Sequence, residues 1–178
     1  MLKIMYENLD SRKQEYNKYL TEHINNVVKT FEKQLFDNLI IDYDWITVEE
    51  LNEINDVILS HDASKYSDTE YETYLNYFYP EDGMEKDEVA FNYALLHHYQ
   101  NNPHHWNHWV LQKDNNIGVP LDMPFKYIVE MVCDWQSMSY KFGGSAHEWY
   151  YKNKDKMLLS SYTTTEVEKL LEYLKELI

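Results

Sequence analysis

Apolar residues in this chain recur at intervals of three and four rather than two, and that periodicity commits it to helices before any other feature is weighed. From Ser11 to Leu35 the positions Tyr16, Leu20, Ile24, Val27, Phe31 and Leu35 form one stripe, with His23 along its edge. Only four glycines and four prolines interrupt 178 residues, so the pattern has few places to break. The expectation is an all-α, single-domain helical bundle over 1–178, with no internal repeat or linker to divide it.

The polar and β-branched stretch Asp37 to Asp44 should end the first helix. Thr47 with Glu50 makes a capping box for a second helix carrying Leu51, Ile54 and Ile58, and Ser67 with Glu70 makes another for a third. Glu85 to Gln100 reads as a helix ended by Asn101-Asn102-Pro103, and Asn115 to Pro120 reads as a loop. Pro124 is well placed to open a helix that runs to Phe142 and stops at Gly143-Gly144, and a last helix follows Thr163 or Thr165.

Hydrophobic residues make up 44% of the chain and aromatics 16%, enough to pack a core. The net charge of −15, without a basic run to offset it, argues against long nucleic acid as a partner. A small anion remains a feasible ligand where a bound metal reverses the local field. The single cysteine, Cys133, excludes an internal disulfide and reads as a small core residue. No signal peptide and no membrane-length apolar run is visible, so a cytoplasmic protein without a membrane partner is expected. A homo-oligomer is left open.

The chemistry concentrates on His61-Asp62-Ala63-Ser64-Lys65. Adjacent histidine and aspartate offer a nitrogen and two oxygens to a cation, but neighbouring side chains diverge, so the pair needs ligands from other helices. His23 on the first helix and Asp134, set among Met131, Val132, Cys133 and Trp135, are the partners in the right company: a carboxylate on an apolar face needs a compensating charge. On a continuing helix Lys65 would lie on the same face as His61 and Asp62, placed for a phosphate oxygen or for an ion pair with Asp62. His97 and His98 close one helix, and the densest ligand cluster follows as His104-His105-Trp106-Asn107-His108-Trp109. His147 has no partner in the pattern and reads as structural.

The order His23, His61-Asp62, Asp134 resembles the HD-domain superfamily of helical metal-dependent phosphohydrolases, in which those ligands come from separate core helices. Lys65 is similar to the lysine of the HD-x-x-K form. A closer resemblance, over roughly Thr21 to Leu174, is to an uncharacterised phage and bacterial family carrying HDxSK, HHW and CDW; here these are His61 to Lys65, His104-His105-Trp106 and Cys133-Asp134-Trp135. That family brings no established activity.

The HD-like resemblance implies an ion held by His23, His61, Asp62 and Asp134, and room for a second one drawing on His97 or His98 with His104 or His105, with Asp62 able to bridge. One or two divalent ions per chain are expected, from Mn, Fe, Co, Ni, Zn or Mg. The implied activity is hydrolysis of a nucleotide or related small phosphate ester by metal-bound water, with Asp62, Lys65, His104 and His105 as the catalytic set. The HHE-x-x-DG-x-GYP signature is missing, which disfavours cyclic dinucleotide hydrolysis of that type. Three other readings use the same residues differently: a nucleotide-sequestering protein, a di-iron oxygenase, and a metal-free helical interaction protein.

Overall fold

The computed structural model describes residues 2–175, with side chains from residue 11 onward. It is all-α apart from one short hairpin, as the periodicity requires. The chain divides into two compact units, neither continuous in sequence: the first comprises Met1–Glu22 with Asp62–Asn102, the second His23–His61 with Pro103–Ile178.

The first helix, α1 (Leu2–Thr30), belongs to the first unit up to Glu22 and to the second from His23. In the first unit it supplies Tyr16 and Leu20 to a small core completed by Tyr74 and Leu75 of α4 (Tyr71–Phe78) and Ala94 of α5 (Glu88–Asn101). Arg12 fastens α1 to the end of α4, donating to the Tyr79 carbonyl and to Asn76 Oδ1. Asp87 caps α5, its side chain accepting from the Ala90 amide.

The second unit holds the larger core. Helix α6 (Phe125–Phe142) runs through it with Ile128, Val129, Val132 and Cys133 fully buried, packed by Ile54 and Ile58 of α3 (Val48–Leu59) and by Val167, Leu170 and Leu171 of α8 (Ser161–Leu171). The Thr47–Glu50 capping box that opens α3 forms as expected, with Glu50 N to Thr47 Oγ1 at 3.2 Å and Thr47 N to Glu50 Oε2 at 2.7 Å. Pro124 caps α6, and Gly143 ends it at φ 76°, a left-handed step open to glycine at no steric cost.

Several boundaries differ from the sequence expectation. The helix does not stop at Asp37: a π-helical turn (Phe31–Leu35) carries it into α2 (Phe36–Asp42). The extra residue of that turn lets Gln34 point inward, where it donates to the Tyr140 hydroxyl, so a buried amide explains a register that the apolar stripe hides. Residues 115–120 are not merely a loop, because β1 (Val110–Gln112) pairs antiparallel with β2 (Gly118–Pro120), Leu111 opposite Val119. A Cβ at Gly118 would lie 2.8 Å from Leu158 Cδ2, so a larger residue there would require that exposed side chain to shift.

A helix unforeseen from sequence, α7 (Ala146–Asn153), follows Gly144. Ser145 caps it, and Gln136 accepts from the Ala146 amide at 2.7 Å. The last helix, α8, starts earlier than Thr163, at Ser161 after the cap Ser160. Among the described residues no helix is long and apolar enough to cross a membrane.

Leu170 is fully buried between α8 and α6, so Leu170→Ala should cost about 3 kcal/mol and lower Tm by roughly 6–12 °C. Leu59, 60% exposed at the end of α3, should tolerate alanine within about 0.5 kcal/mol. Thermal melts of both variants check the pair.

Candidate metal centre

Helix α6 sets up the centre of the second unit by spacing alone: Glu130, Asp134 and Ser137 are four and three residues apart, on one face. Opposite them stand His23 from α1 and His61, which follows the C-cap Ser60 of α3. Both imidazoles are buried, while the Asp134 side chain retains 17% exposure.

Three ligand atoms converge. His23 Nε2 lies 3.2 Å from His61 Nε2 and 3.3 Å from Asp134 Oδ1, and His61 Nε2 lies 3.8 Å from that oxygen. The far nitrogen of each ring is engaged elsewhere. His61 Nδ1 meets Glu130 Oε1 at 2.8 Å, and the carboxylate can only accept, so the proton sits on Nδ1. His23 Nδ1 meets Ser137 Oγ at 3.0 Å, and that hydroxyl already donates to the Asp134 carbonyl at 2.7 Å, so it accepts from His23. When both rings are neutral in these tautomers, their Nε2 atoms present lone pairs towards one another and towards a carboxylate oxygen, and a proton or a metal ion there relieves the repulsion.

Ligands about 2.1 Å from one ion stand roughly 3.0 Å apart at adjacent octahedral positions and roughly 3.4 Å apart in a tetrahedron. The observed triangle of 3.2, 3.3 and 3.8 Å suits such an ion with little adjustment. His23, His61 and Asp134 could therefore hold a metal ion. Burial by itself pushes the Asp134 carboxyl up, but its hydrogen bond with His23 and the charges of His23, His61 and His104 outweigh this and hold it well below the usual range. The group is a carboxylate at neutral pH.

His104 joins the same cluster. Its Nδ1 lies 2.9 Å from Glu130 Oε1, the oxygen that His61 uses, and its ring stacks on His61 with centroids 4.4 Å apart. His105 is half-buried with its ring 4.3 Å from that of His104, whereas His108 is exposed beside Trp109. His147 sits away from these residues in sequence and faces Glu172 at 3.6 Å. Cys133 is buried on α6, where burial pushes its thiol up and leaves it unreactive.

In the first unit a second polar cluster gathers Asp62, Lys65, Glu70, His97 and His98. The helix does not continue through the motif as the spacing of Lys65 assumed: α3 ends at Leu59, Asp62 adopts a left-handed conformation (φ 57°, ψ 19°), and a 3-10 turn (Ala63–Tyr66) follows. Aspartate is among the few residues that tolerate this region. The turn still places Lys65 Nζ 2.5 Å from Asp62 Oδ2, so the ion pair forms by a different route. His98 Nε2 faces Asp62 Oδ1 at 3.3 Å.

Glu70 was expected to cap α4 with Ser67. Instead its carboxylate turns inward, fully buried, and accepts from His97 Nδ1 at 2.7 Å and His98 Nδ1 at 2.9 Å. Two imidazoles, that of His98 buried and that of His97 half-buried, provide a stronger claim on it than a helix end that water can solvate. Ser64 and Asn102 crowd the same histidine.

Glu70, Glu130 and Ser137 are the residues that sequence reasoning missed. Glu130 and Ser137 had a readable signal, being polar positions in register with Asp134 on an apolar helix. Glu70 had a misleading one.

Burial by itself raises the Glu70 pKa, but hydrogen bonds from His98, Ser64 and His97 leave it below the ordinary 4.5. A folded-state pKa below the unfolded one means that ionised Glu70 stabilises above about pH 4.5 and that this contribution is lost as pH falls through the folded value. Glu70→Gln should therefore melt below the wild type at pH 7, with the gap closing towards pH 3. A gap that stays constant from pH 7 to pH 3 would contradict this account.

No curated protein and no solved structure matches the chain. A family model does match, over residues 12–175, almost the entire length: this chain belongs to DUF5662, a family of unknown function.

Proposed function

We propose that this chain is a metal-dependent phosphohydrolase acting on a nucleotide or a related small phosphate ester. The ion would be held by His23, His61 and Asp134. The observation that carries the reading is the meeting of His23 Nε2, His61 Nε2 and Asp134 Oδ1 within 3.8 Å, with the second nitrogen of each ring committed as a donor. Acceptors arranged this way inside a protein repel one another unless a cation lies between them.

A divalent ion bound there lowers the pKa of a water and polarises a phosphoryl oxygen, the two requirements of phosphoester hydrolysis. Two nitrogens and a carboxylate suit Mn, Fe, Co, Ni or Zn, and leave open positions for substrate. The chain's own residues keep the donor set in order. Glu130 and Ser137 hold the two rings, and Asp134 remains ionised.

His104, stacked on His61, is the candidate to take a proton from the attacking water. Lys65 is the cation that the motif offers to a phosphate; since it already holds Asp62 Oδ2, a phosphate would compete with that carboxylate. The net charge of −15 makes the ion's own charge necessary for any anionic substrate.

The test is elemental analysis of untagged protein, followed by phosphate release from a panel of nucleoside mono-, di- and triphosphates. One or two ions per chain are expected, lost in His61→Ala and Asp134→Asn together with a fall in hydrolysis on the order of 10²-fold or more. No metal after incubation with Mn, Fe, Co, Ni or Zn would overturn the reading, as would full hydrolysis in Asp134→Asn. A metal-loaded chain that returns every nucleotide intact would identify a sequestering protein instead, and iron with oxygen consumption would identify an oxygenase.

A further inference from the structure

Glu130 is a buried carboxylate in the middle of α6, 4% exposed, between Val129 and Met131, which are fully buried. A charge at such a position is costly unless donors converge on it. Here the donors are two imidazoles: one oxygen, Oε1, takes His61 Nδ1 at 2.8 Å and His104 Nδ1 at 2.9 Å. A carboxylate has no proton to give, so each ring must carry its own on Nδ1. The Nε2 atom of each is then the basic one.

We infer that Glu130 is the positioning residue of the centre, fixing the tautomers of His61 and His104 together through one shared oxygen. For His61 this selects the nitrogen that faces His23 and Asp134. For His104 it makes Nε2 a proton acceptor and not a donor. The shared oxygen couples the two rings: withdrawing it from one reorients the other, because their planes already lie 38° apart at a centroid distance of 4.4 Å. Carboxylates behind ligating histidines act in this way in general, and their loss weakens metal binding about 10–100-fold.

The affinity arm of the test rests on the proposed metal centre, whereas the tautomer arm uses the metal-free chain and stands without it. Long-range ¹H–¹⁵N imidazole spectra of the full 178-residue chain at pH 8 should show both His61 and His104 protonated on Nδ1. Glu130→Ala removes the acceptor and should leave both rings as tautomer mixtures. Glu130→Gln keeps the shape and loses the charge, and should weaken Zn²⁺ binding about 10–100-fold in competition with a chromophoric chelator.

Leu170→Ala, which destabilises without touching the centre, should change neither reading and so separates positioning from general loss of stability. If Glu130→Ala does not fold, the wild-type spectrum and Glu130→Gln decide the matter. A wild-type ring protonated on Nε2, or Zn²⁺ binding unchanged in Glu130→Gln, would overturn the inference. If the wild type binds no Zn²⁺, the metal centre fails but the tautomers still decide this point.

Discussion

Two imidazole nitrogens and a carboxylate oxygen face one another inside the second unit, and the other nitrogen of each ring is engaged elsewhere. That arrangement is the constraint on which the rest of the centre depends. His23 is held by Ser137 and His61 by Glu130, so neither ring can turn its N–H inward without breaking a buried hydrogen bond. The protein has built a place for positive charge and has fixed the groups around it.

The helix that carries this constraint also carries the core. Ile128, Val129, Val132 and Cys133 of α6 are fully buried, while Glu130, Asp134 and Ser137 share one face of the same turns. Packing on the apolar faces fixes the rotation of α6, and rotation fixes where its polar face points. Rigid packing and a polar cluster are therefore one design. The two units also share a device, since in each a buried glutamate accepts from Nδ1 of two histidines: Glu70 from His97 and His98, Glu130 from His61 and His104.

The left-handed step at Asp62 has a similar character. A non-glycine residue held there costs energy, and such positions persist where surrounding contacts require them. At Asp62 the contacts are Lys65 on one oxygen and His98 near the other.

By itself the sequence determined the helical class and the Thr47 and Pro124 helix starts, while the set His23, His61, Asp62 and Asp134 came from a resemblance. The first two follow from a local or strictly periodic signal: apolar spacing and a cap. Tertiary structure alone decided the π-helical turn, the hairpin, α7, the turn that replaced a helix at Lys65, and the inward roles of Glu70 and Glu130. These depend on which polar group finds a partner in space, and Glu70 shows why sequence could not settle it. Three residues after Ser67 it has the form of a helix cap, but a buried carboxylate goes to the donors that cost most to leave unpaired, and those lie 27 and 28 residues away along the chain.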